Sequence, residues 1–217
     1  MNVRQVVSAG VMIFFLWGTF HLPVTAFQKP KRYTNEECSF SVEYDGEPPI
    51  IKSKEFDPFM NEKLVQTTFN FNAENNTSLG VLHLSLGLIG KNWKNYTPQE
   101  QKGIREALAV FFEKPFLSSI EKGGGKVLGK EAQFEKNGFP VKEYWVSYNT
   151  KRTAVFRFYL ATSGVYCVIV GYQTAFKAES VKAHRFLDSF EIIPHPSHKA
   201  EPLFIKPDLE SDRNKGA

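Results

Sequence analysis

The clearest fold signal in the chain is the stretch Val141–Gln173, VKEYWVSYNTKRTAVFRFYLATSGVYCVIVGYQ. It divides at TKR and SG into three segments dense in β-branched and aromatic residues, the composition of β-strands. A fourth segment of this kind, Lys126–Glu135, precedes it across the break KNGFP. Because the breaks are short, neighbouring segments are expected to pair antiparallel. The second half of the chain therefore predicts a four-stranded antiparallel meander.

The first half of the chain contains further strand candidates. Apolar residues alternate with polar ones, the period of a half-buried strand, in CSFSVEY (Cys38–Tyr44), KLVQTTFNFNAE (Lys63–Glu74), VLHLSLGLI (Val81–Ile89) and, more weakly, IIKSKEF (Ile50–Phe56). In the third of these, the leucines at alternate positions up to Leu88 are expected to point inward. His83 is then expected on the opposite, more polar face.

Two regions switch to the helical period. Thr97, Pro98 and Glu100 have the form of a capping box, and apolar residues follow at helical spacing until Pro115, which should kink or end the helix. Near the end of the chain, SVKAHRFLDSFEII (Ser180–Ile193) carries one apolar stripe at i, i+3, i+4 and i+7. We expect three members of this stripe to dock the last helix on the sheet: Phe186, Leu187 and Phe190.

The order of these elements is strands, helix, strand meander, helix. This order predicts an α+β fold in which helices pack on the faces of a central antiparallel β-sheet. The chain has 217 residues, of which 42% are hydrophobic, enough for one domain with a sizeable core.

The N-terminal residues indicate export. Arg4 precedes an uncharged apolar run, and VTA (Val24–Ala26) places small residues where signal peptidase cuts. We expect a signal peptide over residues 1–26 and a periplasmic or secreted protein. An uncleaved anchor over residues 6–26 stays open, because an apolar run of about 20 residues can just span a bilayer.

The remaining boundaries follow from composition. Residues 27–37 are polar and are interpreted as a leader, and residues 38–193 as the α+β domain. Residues 194–217 contain four prolines and no apolar period. We expect this tail to be disordered.

The two cysteines, Cys38 and Cys167, allow two interpretations. An even number of cysteines in an exported protein permits a disulfide, and closing so long a loop contributes roughly 4–5 kcal/mol in the chain-entropy model. Two buried free thiols are the alternative, because cysteine is often a small core residue. The sequence leaves both open.

The charge and the motifs exclude several classes of function. The net charge is +4, from 27 basic and 23 acidic side chains that are evenly scattered, whereas a nucleic-acid binder shows a basic stripe. Gly123–Lys126 (GGGK) lacks the Ser/Thr and the preceding strand of a phosphate-binding loop, and indicates a flexible connection instead. No catalytic nucleophile or cofactor motif is present.

The histidines do not predict a metal site. His21 lies in the expected signal peptide, and His195 and His198 stand in a proline-rich segment without further ligands at suitable spacing. His83 and His184 are interpreted as ordinary surface or rim residues rather than as a catalytic base. We therefore expect no metal, no cofactor and no catalytic residue.

The strand EYWVSYN contains neighbouring aromatic residues. Tyr144 and Trp145 must point to opposite faces of the strand. One of them is expected in the core, and the other either in ordinary sheet packing or in an exposed binding surface.

Four motifs occur in a fixed order: FSVEYDGEP (Phe40–Pro48), NGFPVKEY (Asn137–Tyr144), FRFYLATSGVYCVIV (Phe156–Val170) and RFLDSFEI (Arg185–Ile192). In order and spacing they resemble the PsbP-like family of exported bacterial and thylakoid proteins, a fold group that includes DcrB-type lipoproteins. The chain departs from the family at Asp45, where many relatives have Pro, and in lacking the lipoprotein cysteine.

The resemblance implies an α-β-α sandwich that acts as a binding or assembly module. Its relatives bind a photosystem, a small GTPase or cell-envelope components, and share no catalytic residues. We therefore expect an exported, non-enzymatic module whose partner is an envelope or extracellular protein. The alternatives are a hydrolase or ligand-processing enzyme with a site assembled from scattered residues, and an envelope protein held by an uncleaved N-terminal helix.

Overall fold

A computed structural model describes residues 30–59, 62–72, 77–148, 151–174 and 177–194. Its strands are β1 (Lys31–Asn35), β2 (Phe40–Tyr44), β3 (Ile50–Phe59), β4 (Glu62–Asn72), β5 (Ser78–Ser85), β6 (Gly125–Lys136), β7 (Phe139–Tyr148), β8 (Arg152–Ala161), β9 (Gly164–Gln173) and β10 (Glu191–Ile192). Its helices are α1 (Gly87–Lys91), α2 (Pro98–Leu108), α3 (Lys114–Lys122) and α4 (Lys177–Ser189).

The main sheet has seven strands among the described residues, in the order β3-β4-β5-β9-β8-β7-β6. All of its neighbours pair antiparallel, and β6 to β9 form the meander predicted from the sequence. The predicted α+β class with a central antiparallel sheet is thereby confirmed.

A second, three-stranded sheet has the order β1-β2-β10. Lys31–Asn35, assigned to the polar leader from the sequence, forms its first strand and pairs with β2 over all five residues. Tyr33 is the residue that attaches this strand to the core, where its ring lies 5.6 Å from that of Phe71. The backbone hydrogen bonds of this strand are made with β2. The polar pattern of Lys31–Asn35 alone does not predict that pairing.

One face of the main sheet is covered by α4 and the small sheet; we call it the α4 face. Phe190, directly after α4, lies at the centre of this layer. Its ring is 5.7 Å from that of Phe40 in the small sheet and 4.9 Å from that of Tyr159 in the main sheet. The aromatic core on this face therefore joins three elements that are far apart in sequence.

The opposite face is covered by α1, α2 and α3; we call it the helix face. Ile104 and Leu108 of α2 pack with residues of β4, β5 and β9, and Phe116 and Ile120 of α3 pack on β7, β8 and β9. The capping box predicted at the start of α2 is present, since Glu100 Oε2 accepts a 2.8 Å bond from the Thr97 N–H.

A wide π-helical turn, Ala109–Glu113, joins α2 to α3. The helix therefore continues past the point where Pro115 was expected to kink or end it. Pro115 lies in the first turn of α3, where its missing N–H is tolerated. The π turn places Glu113 beside β7, and the two Glu113 oxygens lie 3.2 and 3.1 Å from Lys142 Nζ.

The two cysteines are free, and the disulfide considered from the sequence is wrong. Cys38 lies in the core on the α4 face, whereas Cys167 lies in the core on the helix face, against α3. The main sheet separates the two thiols. The alternative of two buried free thiols is therefore correct.

His83 is buried, contrary to its expected place on a polar surface or rim. Both faces of β5 are covered at this position, so a polar residue on the alternate face is enclosed rather than solvated. Leu88, expected to point inward, is 58% exposed because the chain has left the strand and entered α1.

Among the described residues, no helix is long and apolar enough to span a membrane. The predicted signal peptide or anchor, residues 1–26, lies outside the described residues, as does the predicted tail from His195 onward.

Candidate functional site

The two layers on the sheet are not centred on it. On the α4 face, the rings of the small sheet pack on Phe69 and Phe71 of β4, and α4 packs mainly on β9. At the far edge, Leu128 and Phe134 of β6 stay exposed. The surface left there lies between the outer strands and one side of α4. We call it the Trp145 ledge, defined by Leu128, Phe134, Glu143, Trp145 and Arg157 on the strands and by Val181, His184 and Asp188 on α4.

An ion pair forms the centre of the ledge. Arg157 Nε donates to Glu143 Oε2 at 2.5 Å, and Arg157 NH1 donates to Asp188 Oδ1 at 2.7 Å. The Arg157 and Glu143 side chains are each only 11% exposed, whereas Asp188 is 64% exposed. Burial acts to lower the pKa of Arg157, but its hydrogen bonds to Glu143 and Asp188 outweigh that effect and raise it. The guanidinium is thus fixed between a buried and a solvated carboxylate.

Trp145 lies beside this ion pair and is half-buried. Its indole N–H donates to Glu143 Oε1 at 2.7 Å, so both oxygens of the buried carboxylate are bonded. On its other side, the Trp145 ring lies 5.6 Å from the ring of His184, tilted by 35°. These contacts fix the orientation of the indole while leaving part of it accessible.

Apolar side chains surround Trp145 at the open edge. Leu128, its register partner on β6, is 43% exposed, and Phe134 is 38% exposed beneath the Arg157 guanidinium at 5.5 Å. Val181, one turn before His184 on α4, is 62% exposed. The ledge therefore combines exposed apolar groups with an arginine held in place.

Lys136 closes one end of the ledge. Its Nζ donates to the Leu187 carbonyl at 3.1 Å and to the Asp188 carbonyl at 2.5 Å, at the C-terminal end of α4. Burial and the nearby Arg157 charge lower the pKa of Lys136, opposed by attraction to Asp188. A cation at this position satisfies carbonyls that have no partner within the helix.

Residues in and directly after α4 fall into a buried set and a set that faces the ledge. Phe186, Leu187 and Phe190 are at most 1% exposed and lie in the core on the α4 face. His184 and Asp188 face the ledge. Arg185 points elsewhere and forms an ion pair with Asp45. In the motif Gly123–Lys126, Gly123 and Gly124 connect α3 to β6, whereas Gly125 and Lys126 are the first two residues of β6.

Tyr144 and Trp145 point to opposite faces of β7, as alternation requires. Tyr144 is buried on the helix face and donates its hydroxyl to Glu113, whereas Trp145 is the partly accessible one. The sequence analysis missed Glu143 and Arg157. The sequence contains a signal for Glu143, because alternation places it on the same strand face as Trp145. Arg157 is identified only by the strand register, which pairs it with Glu143.

The charged groups at the centre of the ledge are hydrogen-bonded to one another. Glu143 accepts hydrogen bonds at both oxygens, and the single positive charge of Arg157 is shared between the Glu143 and Asp188 carboxylates. Within the described ranges, no three His, Cys, Asp or Glu side chains are grouped so that they could hold a metal ion. The metal candidates His195 and His198 lie outside those ranges, as does His21.

The sequence matches no protein-family model and no curated protein.

Proposed function

We propose that this chain is an exported, non-enzymatic binding or assembly-support module with a PsbP-like α-β-α architecture, and that it binds a protein partner on the Trp145 ledge. The observation that carries the proposal is the half-buried Trp145 fixed beside the Arg157–Glu143 pair. Tryptophan and arginine are the residue types that contribute most to binding energy at protein interfaces. Holding both in one geometry reduces the conformational entropy that binding would otherwise cost.

The partner is proposed to be an envelope or extracellular protein, as the N-terminal sequence suggests. It would place apolar side chains on Leu128, Trp145 and Phe134 and a cationic or hydrogen-donating group near Asp188. Asp188 is suited to this contact, because it is exposed while the Arg157 behind it fixes its position. A rim charge of this kind mainly guides orientation and association rate.

Site-specific crosslinking tests the proposal. A photo-crosslinking residue is placed at Leu128 on the ledge or, as a control, at Ile50 on the opposite sheet edge, which is 52% exposed. In the native cell fraction, we expect one defined adduct from position 128 and none of the same mass from position 50. Trp145→Ala in the position-128 protein should reduce that adduct at least fivefold while the fold is retained.

Two results would overturn the proposal. One is equal labelling of the same protein from both positions, which would indicate non-specific contact. The other is an adduct from position 128 that Trp145→Ala leaves unchanged.

A further inference from the structure

A cavity of about 200 Å³ lies on the helix face, away from the Trp145 ledge. It opens between the end of α3 and the strands β5, β9 and β8. Ile120, Phe156 and Ile169 provide apolar walls, and Tyr148 and Arg152 lie at its polar part.

The cavity exists because three adjacent strands carry small residues in one row. Ser78, Gly171 and Ala154 are register partners across β5, β9 and β8. Neighbouring rows on the same face hold large side chains, including the pair Phe156 and Ile169. The small residues therefore leave a gap in a layer that is otherwise filled.

The backbone does not require glycine at the centre of this row. A Cβ on Gly171 would meet only the Ser78 Cβ at 3.7 Å, an ordinary van der Waals distance. By contrast, Gly164 on the same strand faces backbone and side-chain atoms at distances that no real Cβ shows. Gly171 and Ser78 are both partly exposed, so the gap is a pocket open to solvent rather than a void within the core.

The lining determines what could bind. The walls are mainly aliphatic and aromatic, and Arg152 is the one charged residue among the described residues that line the cavity. Burial lowers the pKa of Arg152, and attraction to the Glu179 carboxylate opposes that shift. A ligand carboxylate beside Arg152 would act in the same direction as Glu179 and stabilise the charged guanidinium. An apolar cavity of about 150 Å³ is enough to hold benzene. A volume of about 200 Å³ therefore suits an apolar group of about six to nine carbon atoms.

We propose that this cavity binds a medium-chain monocarboxylate, with its chain over Gly171 and Ala154 and its carboxylate at Arg152. Tyr148 and Ser119 supply hydroxyl groups at the same cavity. The site lies on the opposite face from the Trp145 ledge and does not depend on the proposed protein partner. It would make the module a carrier or sensor of small amphipathic acids.

Calorimetric titration of the full chain with octanoate, and with 1-octanol as the uncharged control, tests this inference. We expect saturable, one-to-one binding of octanoate, at least fivefold tighter than binding of 1-octanol. Arg152→Gln should remove that preference while retaining binding of the alcohol. Gly171→Val should weaken binding of both probes at least tenfold, because its side chain fills the cavity.

Gly103→Ala serves as the matched control, since a Cβ there meets nothing within 4 Å and the residue does not line the cavity. Its affinities should equal those of the wild type. Thermal melting establishes that each variant folds. If Gly171→Val does not fold, the result for Arg152→Gln still tests the inference. The inference is overturned if octanoate does not bind saturably up to about 5 mM, a concentration that would mostly fill a site with a Kd of about 1 mM. It is equally overturned if Arg152→Gln leaves the preference for octanoate unchanged.

Discussion

The imidazole of His83 occupies the space that a side chain on Gly164 would need. The two residues lie on neighbouring strands, β5 and β9, and a Cβ at Gly164 would approach the His83 ring more closely than real Cβ atoms ever do. It would also lie 2.7 Å from the Leu84 carbonyl oxygen. His83 Nε2 is 3.2 Å from the Ser163 carbonyl oxygen, and its ring lies 4.8 Å from that of Tyr166. Histidine and glycine thus form one packing unit beneath the turn between β8 and β9.

Gly164→Ala should therefore destabilise the protein by about 2 kcal/mol or more, because the new methyl group overpacks a site that includes backbone atoms. Urea unfolding followed by circular dichroism measures the change. Gly103→Ala on α2, where space is open, should be neutral or stabilising by up to about 1 kcal/mol. Equal effects of the two substitutions would contradict the packing described for His83.

Stability should fall in acid because His83 is buried in its neutral form. Burial lowers the pKa of His83 from 6.5 to about 4, opposed by its hydrogen bond to the Ser163 carbonyl. Below pH 6.5 the unfolded chain takes up a proton that the folded chain does not, so stability decreases until about pH 4. The His83 contribution to the loss is about 3 kcal/mol, since one pKa unit corresponds to about 1.4 kcal/mol.

Urea unfolding of wild type and His83→Gln at pH 7, 5.5 and 4 isolates this contribution from that of other groups. The difference between the two proteins should shrink as the pH falls. Gly103→Ala, which changes no titratable group, is the control and should retain the wild-type slope. A pH-independent difference between wild type and His83→Gln would contradict the prediction.

In the ion pair of the Trp145 ledge, replacing Arg157 and replacing Glu143 should lower the free energy of unfolding by different amounts. Arg157→Met leaves the buried Glu143 carboxylate without its cation and should cost about 3 kcal/mol or more. Glu143→Gln should cost less, because the amide oxygen can still accept the bond from the Trp145 indole. Chemical denaturation measures both. The exposed pair Arg32–Glu191 offers a control: its side chains are 46% and 45% exposed, and Arg32→Met should cost less than about 1 kcal/mol.

The aromatic residues after and within α4 should be critical for stability. Phe190→Ala and Phe186→Ala each remove a buried ring from the core and should cost about 3–5 kcal/mol. Val181→Ala on the exposed side of the same helix should change stability by less than about 0.5 kcal/mol. Melting temperatures that do not change in either phenylalanine variant would refute the docking role predicted from the sequence.

Both thiols should be inaccessible in the folded protein. Burial raises the pKa of Cys38 to about 11, with Glu37 adding to the effect, and burial raises the pKa of Cys167 well above its usual value. Because the thiolate is the reactive form, a maleimide reagent should label neither cysteine in buffer at pH 7 and both in urea. Mass spectrometry reads the result, and a 2 Da increase of the unlabelled protein on reduction would show that a disulfide had formed.

Much of the fold could be predicted from local pattern. Dense β-branched and aromatic residues between short breaks located the strands of the meander, and the capping box at Thr97 located the start of α2, because both depend on residues within a few positions of each other. The apolar stripe of α4 is of the same kind. Pro115 was expected to kink or end the helix, but the helical path continues through the π turn Ala109–Glu113, and Pro115 lies in the first turn of α3.

The remaining features depend on which layer covers which part of the sheet. Alternation alone establishes that Tyr144 and Trp145 point in opposite directions, that Cys167 shares a face with Ile169, and that His83 faces away from Leu84. It does not establish that a layer covers both faces of β5, that Cys38 lies across the sheet from Cys167, or that β6 and β7 extend beyond α4. These three features depend on packing between elements as far apart in sequence as Phe40 and Phe190. Burial and hydrogen bonding between such remote segments outweigh the weak structural preference of any single segment.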